Sequence, residues 1–211
     1  MSTFIETFPV GPLQCNCSII ACPETKEAAV IDPGGDVEKI LALLKENDFK
    51  VKYLLHTHAH FDHILGSRKM KEATGAKICL HKKDDMLYQN LDKQCALFGL
   101  SSDAVIPADH FLNDEEEIKI GKLKTKVLHT PGHTPGSLCF TLADKDSVVF
   151  AGDTLFQHSI GRTDLWGGSF DDILHSIRSR LFALDDSTRV VAGHGDDTTI
   201  WEEKRENPFV K

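Results

Sequence analysis

Apolar residues in the first third of the chain come in short runs divided by turn residues. FIETF (4–8), CNCSIIAC (15–22) and EAAVID (27–32) predict three strands, the last closed by Pro33-Gly34-Gly35. The spacing then lengthens. Val37, Ile40, Leu41 and Leu44 recur at helical intervals through DVEKILALLKEN, with Asp36 placed to cap the helix. VKYLL (51–55) predicts a strand, and a helix is expected from just after His63 to near Gly75. AKICL (76–80) is another short strand, followed by a helical or irregular stretch from Lys82 to Ser102. Between Glu116 and Phe150 the pattern turns to β in EIKI, KLKTKVLH, SLCFTL and SVVFA. Ser169-x-x-Asp172 resembles a capping box ahead of a helix carrying Ile173, Ile177 and Leu181. RVVA (189–192) is a last strand, and Thr199-x-x-Glu202 opens a last helix that Pro208 stops. Strands and helices, then strands and helices again, predict an α/β fold of two mixed sheets with helices on their outer faces. No repeat or linker interrupts the pattern, so residues 1–211 are expected to form one domain.

Composition narrows the function classes. Hydrophobic residues make up 41% and charged residues 27%, ordinary globular values. No apolar stretch approaches the roughly 20 residues that span a bilayer, and MSTFIETFPVGPLQ has no secretory pattern, so the expectation is a cytoplasmic protein without a membrane partner. A net charge of −8 argues against nucleic acid as a partner. Six cysteines (15, 17, 22, 79, 95 and 139) sit mostly in strand-like stretches and are read as reduced and buried. The sequence leaves the oligomeric state open.

The candidate chemistry lies where apolar strands end. VKYLL leads into His58, His60, Asp62 and His63; KLKTKVLHTPGH delivers His133; SVVFAGD delivers Asp153; RVVAGH delivers His194. Gly132, Gly152 and Gly193 stand beside the last three, letting backbone pass close to a crowded centre. Imidazole suits zinc, iron and similar ions, and a carboxylate can join two of them. Seven ligands exceed one tetrahedral ion, so two adjacent divalent ions fit the count. Such a pair, about 3.5–4 Å apart, can share a hydroxide and polarise a substrate oxygen. Zinc is the expected metal, with iron or manganese as alternatives. A purely structural zinc site would be closed and sulfur-rich, unlike this His/Asp set.

His58-x-His60-x-Asp62-His63, with His133, Asp153 and His194, resembles the metallo-β-lactamase superfamily along nearly the whole chain. The resemblance implies an αββα sandwich with the metals at the edge between the sheets. It places His58, His60 and His133 on a first ion, Asp62, His63 and His194 on a second, and Asp153 as the bridge. Asp62 and Asp153 are the candidate catalytic carboxylates. VGPLQCNCSIIA, AVIDPGG, HTPGHTPGS, GDTLF, SIGRTDLWGGS and TTIWEEKRENPF resemble the short members of the glyoxalase II-like branch. That likeness implies a thioesterase acting on S-acylglutathione-like small molecules through a metal-bridging hydroxide, here without the branch's C-terminal helical domain.

Gly161-Arg162-Thr163-Asp164 stands where full-length glyoxalase II enzymes place a Lys and a Tyr. Arg162 either binds a substrate carboxylate or pairs with Asp164 and shapes the loop. The same segment resembles persulfide dioxygenases, which use one iron held by two His and an Asp, and this is the alternative reading. A flavodiiron identity is disfavoured because that branch has Glu at the place of His60, and the zinc β-lactamases because many carry Cys at the place of Asp153. Among the other histidines, His56 is expected to be a packed core residue. His129 is expected either to orient a ligand or to pack, while His81, His110, His158 and His175 are expected at the surface or in packing roles. Trp166 either meets substrate or closes its loop.

Overall fold

The computed structural model describes residues 3–142 and 147–211. Its first sheet takes β1 (Phe4–Val10), β2 (Cys15–Ala21), β3 (Glu27–Ile31), β4 (Lys50–Leu55), β5 (Lys77–His81) and β6 (His110–Leu112) in that spatial order. The first three strands pair antiparallel, and the rest are parallel. Next come β7 (Glu117–Ile120), β8 (Leu123–His129), β9 (Leu138–Leu142) and β10 (Val148–Gly152). A hairpin of β11 (Leu155–Phe156) and β12 (Ser159–Ile160) precedes β13 (Arg189–Ala192) and β14 (Thr198–Thr199). The second sheet runs β14-β13-β10-β9-β8-β7, with only β10 and β13 parallel.

The central strands β2, β3 and β10 are buried on both faces and so read as unbroken apolar runs, while β7 and β8 alternate buried and exposed residues. Along β2 and β3, Ile19, Ala21, Ala28 and Val30 face an outer helix layer, while Ile20, Ala29 and Ile31 face the opposite sheet. Phe140, Phe150 and Val191 meet them from the second sheet. Val149 and Val190 point outward to Ile173, Ile177, Leu181 and Ile200. Three apolar layers thus separate four layers of structure, the expected αββα sandwich.

The outer helices on the first sheet are α1 (Val37–Glu46), α2 (Phe61–Ile64), α3 (Ser67–Thr74), α4 (Asp85–Gln89) and α5 (Leu91–Leu97); α6 (Phe170–Ser176) and α7 (Ile200–Glu206) cover the second. Helix α1 buries Val37, Ile40 and Leu44 as its spacing predicts. Asp36, however, does not cap it. This residue is left-handed (φ 44°), and its carboxylate instead accepts from the Gly11 amide at 2.9 Å. The helix expected after His63 starts earlier, at Phe61, and is split around Gly66, whose amide donates to the Pro33 carbonyl. Ser169 and Thr199 do cap their helices, accepting from the amides of Asp172 and Glu202. After α6 the helix widens to a π turn over Ile177–Leu181. All six cysteines are free and buried. No helix of the described residues is long and apolar enough to cross a membrane.

Candidate metal centre

The structure brings all seven predicted residues together. The loop after β4 supplies His58 and His60, the short helix α2 that follows it Asp62 and His63, and the turns after β8, β10 and β13 supply His133, Asp153 and His194. Ligand-capable atoms of His58, His60 and His133 lie within 4.8 Å of one another, as do those of Asp62, His63 and His194. His58, His63 and Asp153 form a third such group, which joins the two halves.

Asp153 lies between the two groups. Its Oδ1 lies 3.4 Å from His63 Nε2 and 3.8 Å from His194 Nε2, while Oδ2 lies 3.5 Å from His133 Nε2. One oxygen therefore faces each half. Gly193 makes the approach possible, since a Cβ there would sit 2.1 Å from Asp153 Oδ1.

Which ring nitrogen faces the centre is decided by the surroundings, because the nitrogen that donates outward leaves the other with a lone pair. His133 Nδ1 donates to the Arg162 carbonyl at 2.8 Å, and His194 Nδ1 to the Leu13 carbonyl at 3.1 Å. His63 Nδ1 donates to Asp32 Oδ2 at 3.0 Å, with the Cys15 sulfur 3.3 Å away. Asp32 Oδ2 also takes the Thr57 hydroxyl at 2.6 Å, so Thr57 Oγ1 is left to accept from His58 Nδ1 at 3.1 Å. Four imidazoles thus turn Nε2 inward. His60 is the exception, with Nδ1 facing His133 Nε2 at 2.9 Å.

Burial and crowding by like groups hold His58 well below the ordinary histidine range, and burial, then His133, pushes His60 to about 3. Burial also lowers His133. These three are neutral bases at physiological pH. Burial alone would raise the Asp153 carboxyl, but His63, His133 and His194 outweigh it and keep the group ionised. The opposite balance acts on His63, where Cys15, Asp153, Asp62 and Asp32 overcome burial and raise it. Inward lone pairs beside ionised carboxylates suit a cation. Three buried atoms make the same point: His58 Nε2, His63 Nε2 and Asp153 Oδ1 have no hydrogen-bond partner among the described residues. Buried polar atoms are rarely left so, and cations held among these groups would satisfy all three. The residues fit a metal.

The remaining histidines fall outside the cluster. His56 is fully buried and bonded to Ser67 Oγ at 3.1 Å, a core residue as expected. His129 bonds the Pro135 carbonyl at 3.0 Å and stacks on His81, so it braces the turn that follows His133. His110 and His158 pair with Glu116 and Glu202 near the surface. Arg162 is 61% exposed and pairs in bidentate fashion with Asp164, both distances 2.8 Å. Trp166 is half exposed.

Comparison with known proteins agrees with this geometry. The family model described as the Metallo-beta-lactamase superfamily matches residues 10–194. Hydroxyacylglutathione hydrolase GloC of Haemophilus influenzae is 44% identical over 209 residues, spanning 98% of this chain and 97% of that protein. Among solved structures, the BLEG-1 B3 metallo-beta-lactamase superposes with a TM-score of 0.91 at 38% identity, covering 98% of this chain and 99% of its own. TTHA1623 in a di-iron-bound form gives a TM-score of 0.86 at 37% identity, over 95% and 98%.

Proposed function

The chain belongs to the metallo-beta-lactamase superfamily, and from that premise we propose that it is a dinuclear thioester hydrolase acting on S-acylglutathione-like substrates. The observation that carries the proposal is Asp153, whose two oxygens face two separate groups of three ligands. Two divalent ions held there, with zinc the first choice, would supply an acidified water and Lewis-acid polarisation of a carbonyl. His58, His60 and His133 form one cradle, and Asp62, His63 and His194 the other. Asp62 and Asp153 remain ionised beside the reacting carbonyl and hold the charge of the centre low. A thiol of pKa about 8.5 leaves as thiolate without a dedicated acid, so ligands alone suffice for a thioester. The GloC relative is named for that activity.

Arg162 is proposed to meet the substrate's carboxylate. Its backbone carbonyl holds His133, which ties its loop to the cradle. Its pair with Asp164 is exposed and screened by water, so a substrate carboxylate can replace Asp164 at small cost. Arg162→Ala is expected to raise KM for an anionic thioester more than it lowers kcat, because that contact exists in ground and transition states alike. Steady-state kinetics on a charged and an uncharged thioester check this; an equal loss on both assigns Arg162 to loop shape.

The second reading, a persulfide dioxygenase with one iron, rests on Gly161-Arg162-Thr163-Asp164; TTHA1623 in its di-iron-bound form favours two ions while leaving iron open as the metal. Metal analysis of the isolated protein, with assays on lactoylglutathione, glutathione persulfide and a β-lactam, separates the readings. Two ions per chain and thioester cleavage are expected. One tightly held iron with oxygen uptake would overturn the hydrolase.

A further inference from the structure

The loop that carries His58 and His60 has almost no regular structure of its own, so other groups must hold its backbone. Asp84 is one of them. It ends the single 3₁₀ turn Lys82–Asp84 that follows β5, and it is fully buried. Its Oδ2 accepts from the Ala59 amide at 3.0 Å, between His58 and His60. The same oxygen accepts from Thr134 Oγ1 at 2.8 Å, next to His133. Its Oδ1 accepts from the Gly136 amide at 2.6 Å. All three donors are neutral, and all three lie on segments that carry the first group of histidines.

The turn is shaped around this carboxylate. A Cβ on Gly136 would lie 2.5 Å from Asp84 Oδ1, so only glycine admits it. Gln94 grips the other side of the loop, accepting from the Phe61 amide at 3.1 Å and donating to the Ala59 carbonyl at 3.0 Å. Asp32 bonds His63 directly and reaches His58 through the Thr57 hydroxyl, so it touches both groups. Asp84 bonds only segments that carry the first group.

We infer that Asp84 is a positioning residue that sets the ion affinity of His58, His60 and His133 selectively, by clamping the loop after β4 to the turn after His133. This rests on the metal-centre reading, but it is tested by zinc binding alone, so a failed thioesterase assay leaves it intact. Asp84→Asn keeps the shape and turns an amide N–H toward one of the backbone N–H donors, most directly that of Gly136. Misplaced supporting groups around a metal typically cost 10- to 100-fold in affinity.

The test is competitive zinc titration of Asp84→Asn in two backgrounds. In His194→Ala, where the first group is the intact one, zinc affinity should fall about 10- to 100-fold. In His133→Ala, where the first group is already broken, the same change should alter the remaining affinity by less than about twofold, since the clamp then has no intact group to position. Equal losses in both backgrounds, or no loss in the first, overturn the inference. Thr134→Val removes one donor and preserves volume. It should weaken zinc in the His194→Ala background only, and by less than Asp84→Asn. If Asp84→Asn does not fold by circular dichroism, an unchanged zinc affinity for Thr134→Val in that background overturns the inference by itself.

Discussion

Asp153 lies within 4 Å of histidines from three separate segments and is the point where the two halves of the centre meet. On the proposed reading, removing its carboxylate would take a ligand from both groups and leave a ring of imidazoles without their central negative charge. Asp153→Ala is therefore expected to bind fewer than one zinc per chain at stoichiometric metal and to lose turnover. His81→Ala, whose ring stacks on His129 and accepts from the Lys83 amide but lies outside the cluster, should keep both. Metal analysis after gel filtration distinguishes the two; equal behaviour would displace Asp153 from the bridge. At this scale the cluster of seven was readable, because each member lies a few residues past the end of an apolar strand. Asp32 obeys the same rule after EAAVI and could have been found by it. Asp84 could not: it stands in HKKDD, an ordinary polar run, and acts on amides 25 and 52 residues away in sequence. Hydrogen bonds to backbone leave no residue-type signature at the receiving end.

Between residue and fold stands the turn HTPGHTPGS, which joins β8 to β9 and presents His133. Gly132 has φ 138°, a region that favours glycine, and a Cβ there would lie 2.2 Å from the Ile173 amide nitrogen in α6. Its carbonyl accepts from Ser169, the residue that caps that helix. Gly132→Ala must push the turn and α6 apart. The expected cost is about 1–3 kcal/mol of unfolding free energy, read by urea denaturation, with weaker zinc binding because His133 moves with the turn. An unchanged midpoint would mean that the turn is slack. The longer strands of both sheets were legible from their apolar runs, as were the caps at Ser169 and Thr199. The Asp36 cap failed because a tertiary donor, the Gly11 amide, took its carboxylate. The helix after His60 broke at Gly66 because Pro33 claims the Gly66 amide. Strands β6, β11, β12 and β14 are only two or three residues long, too short for period-2 alternation to register.

At the scale of the whole molecule the centre is a seam. His58, His60, Asp62 and His63 come from the first sheet, and His133, Asp153 and His194 from the second. Backbone bonds already join the sheets nearby, from Asn16 N to the Gly193 carbonyl and from Leu138 N to the Thr57 carbonyl, each 2.7 Å. Ions held by both sheets would add links across the same edge, and they bind only when the layers are assembled. Metal occupancy is then coupled to folding: an ion at 100 times its Kd stabilises the folded state by about 2.7 kcal/mol. For a chain of this size that corresponds to roughly 5–10 °C in Tm. A strong chelator is expected to lower Tm by about that amount per ion lost, and added zinc to restore it. The sign with pH follows from ligand chemistry. His63 and His194, which their carboxylate neighbours raise, must be free of the proton to hold an ion, so acidification sets protons against metal at the second group, and the gap in Tm between loaded and stripped protein should narrow as pH falls from 7.5 to 5. Differential scanning calorimetry of both forms across that range measures it. A gap that is absent at pH 7.5, or constant with pH, would show that the ions do not join the two sheets.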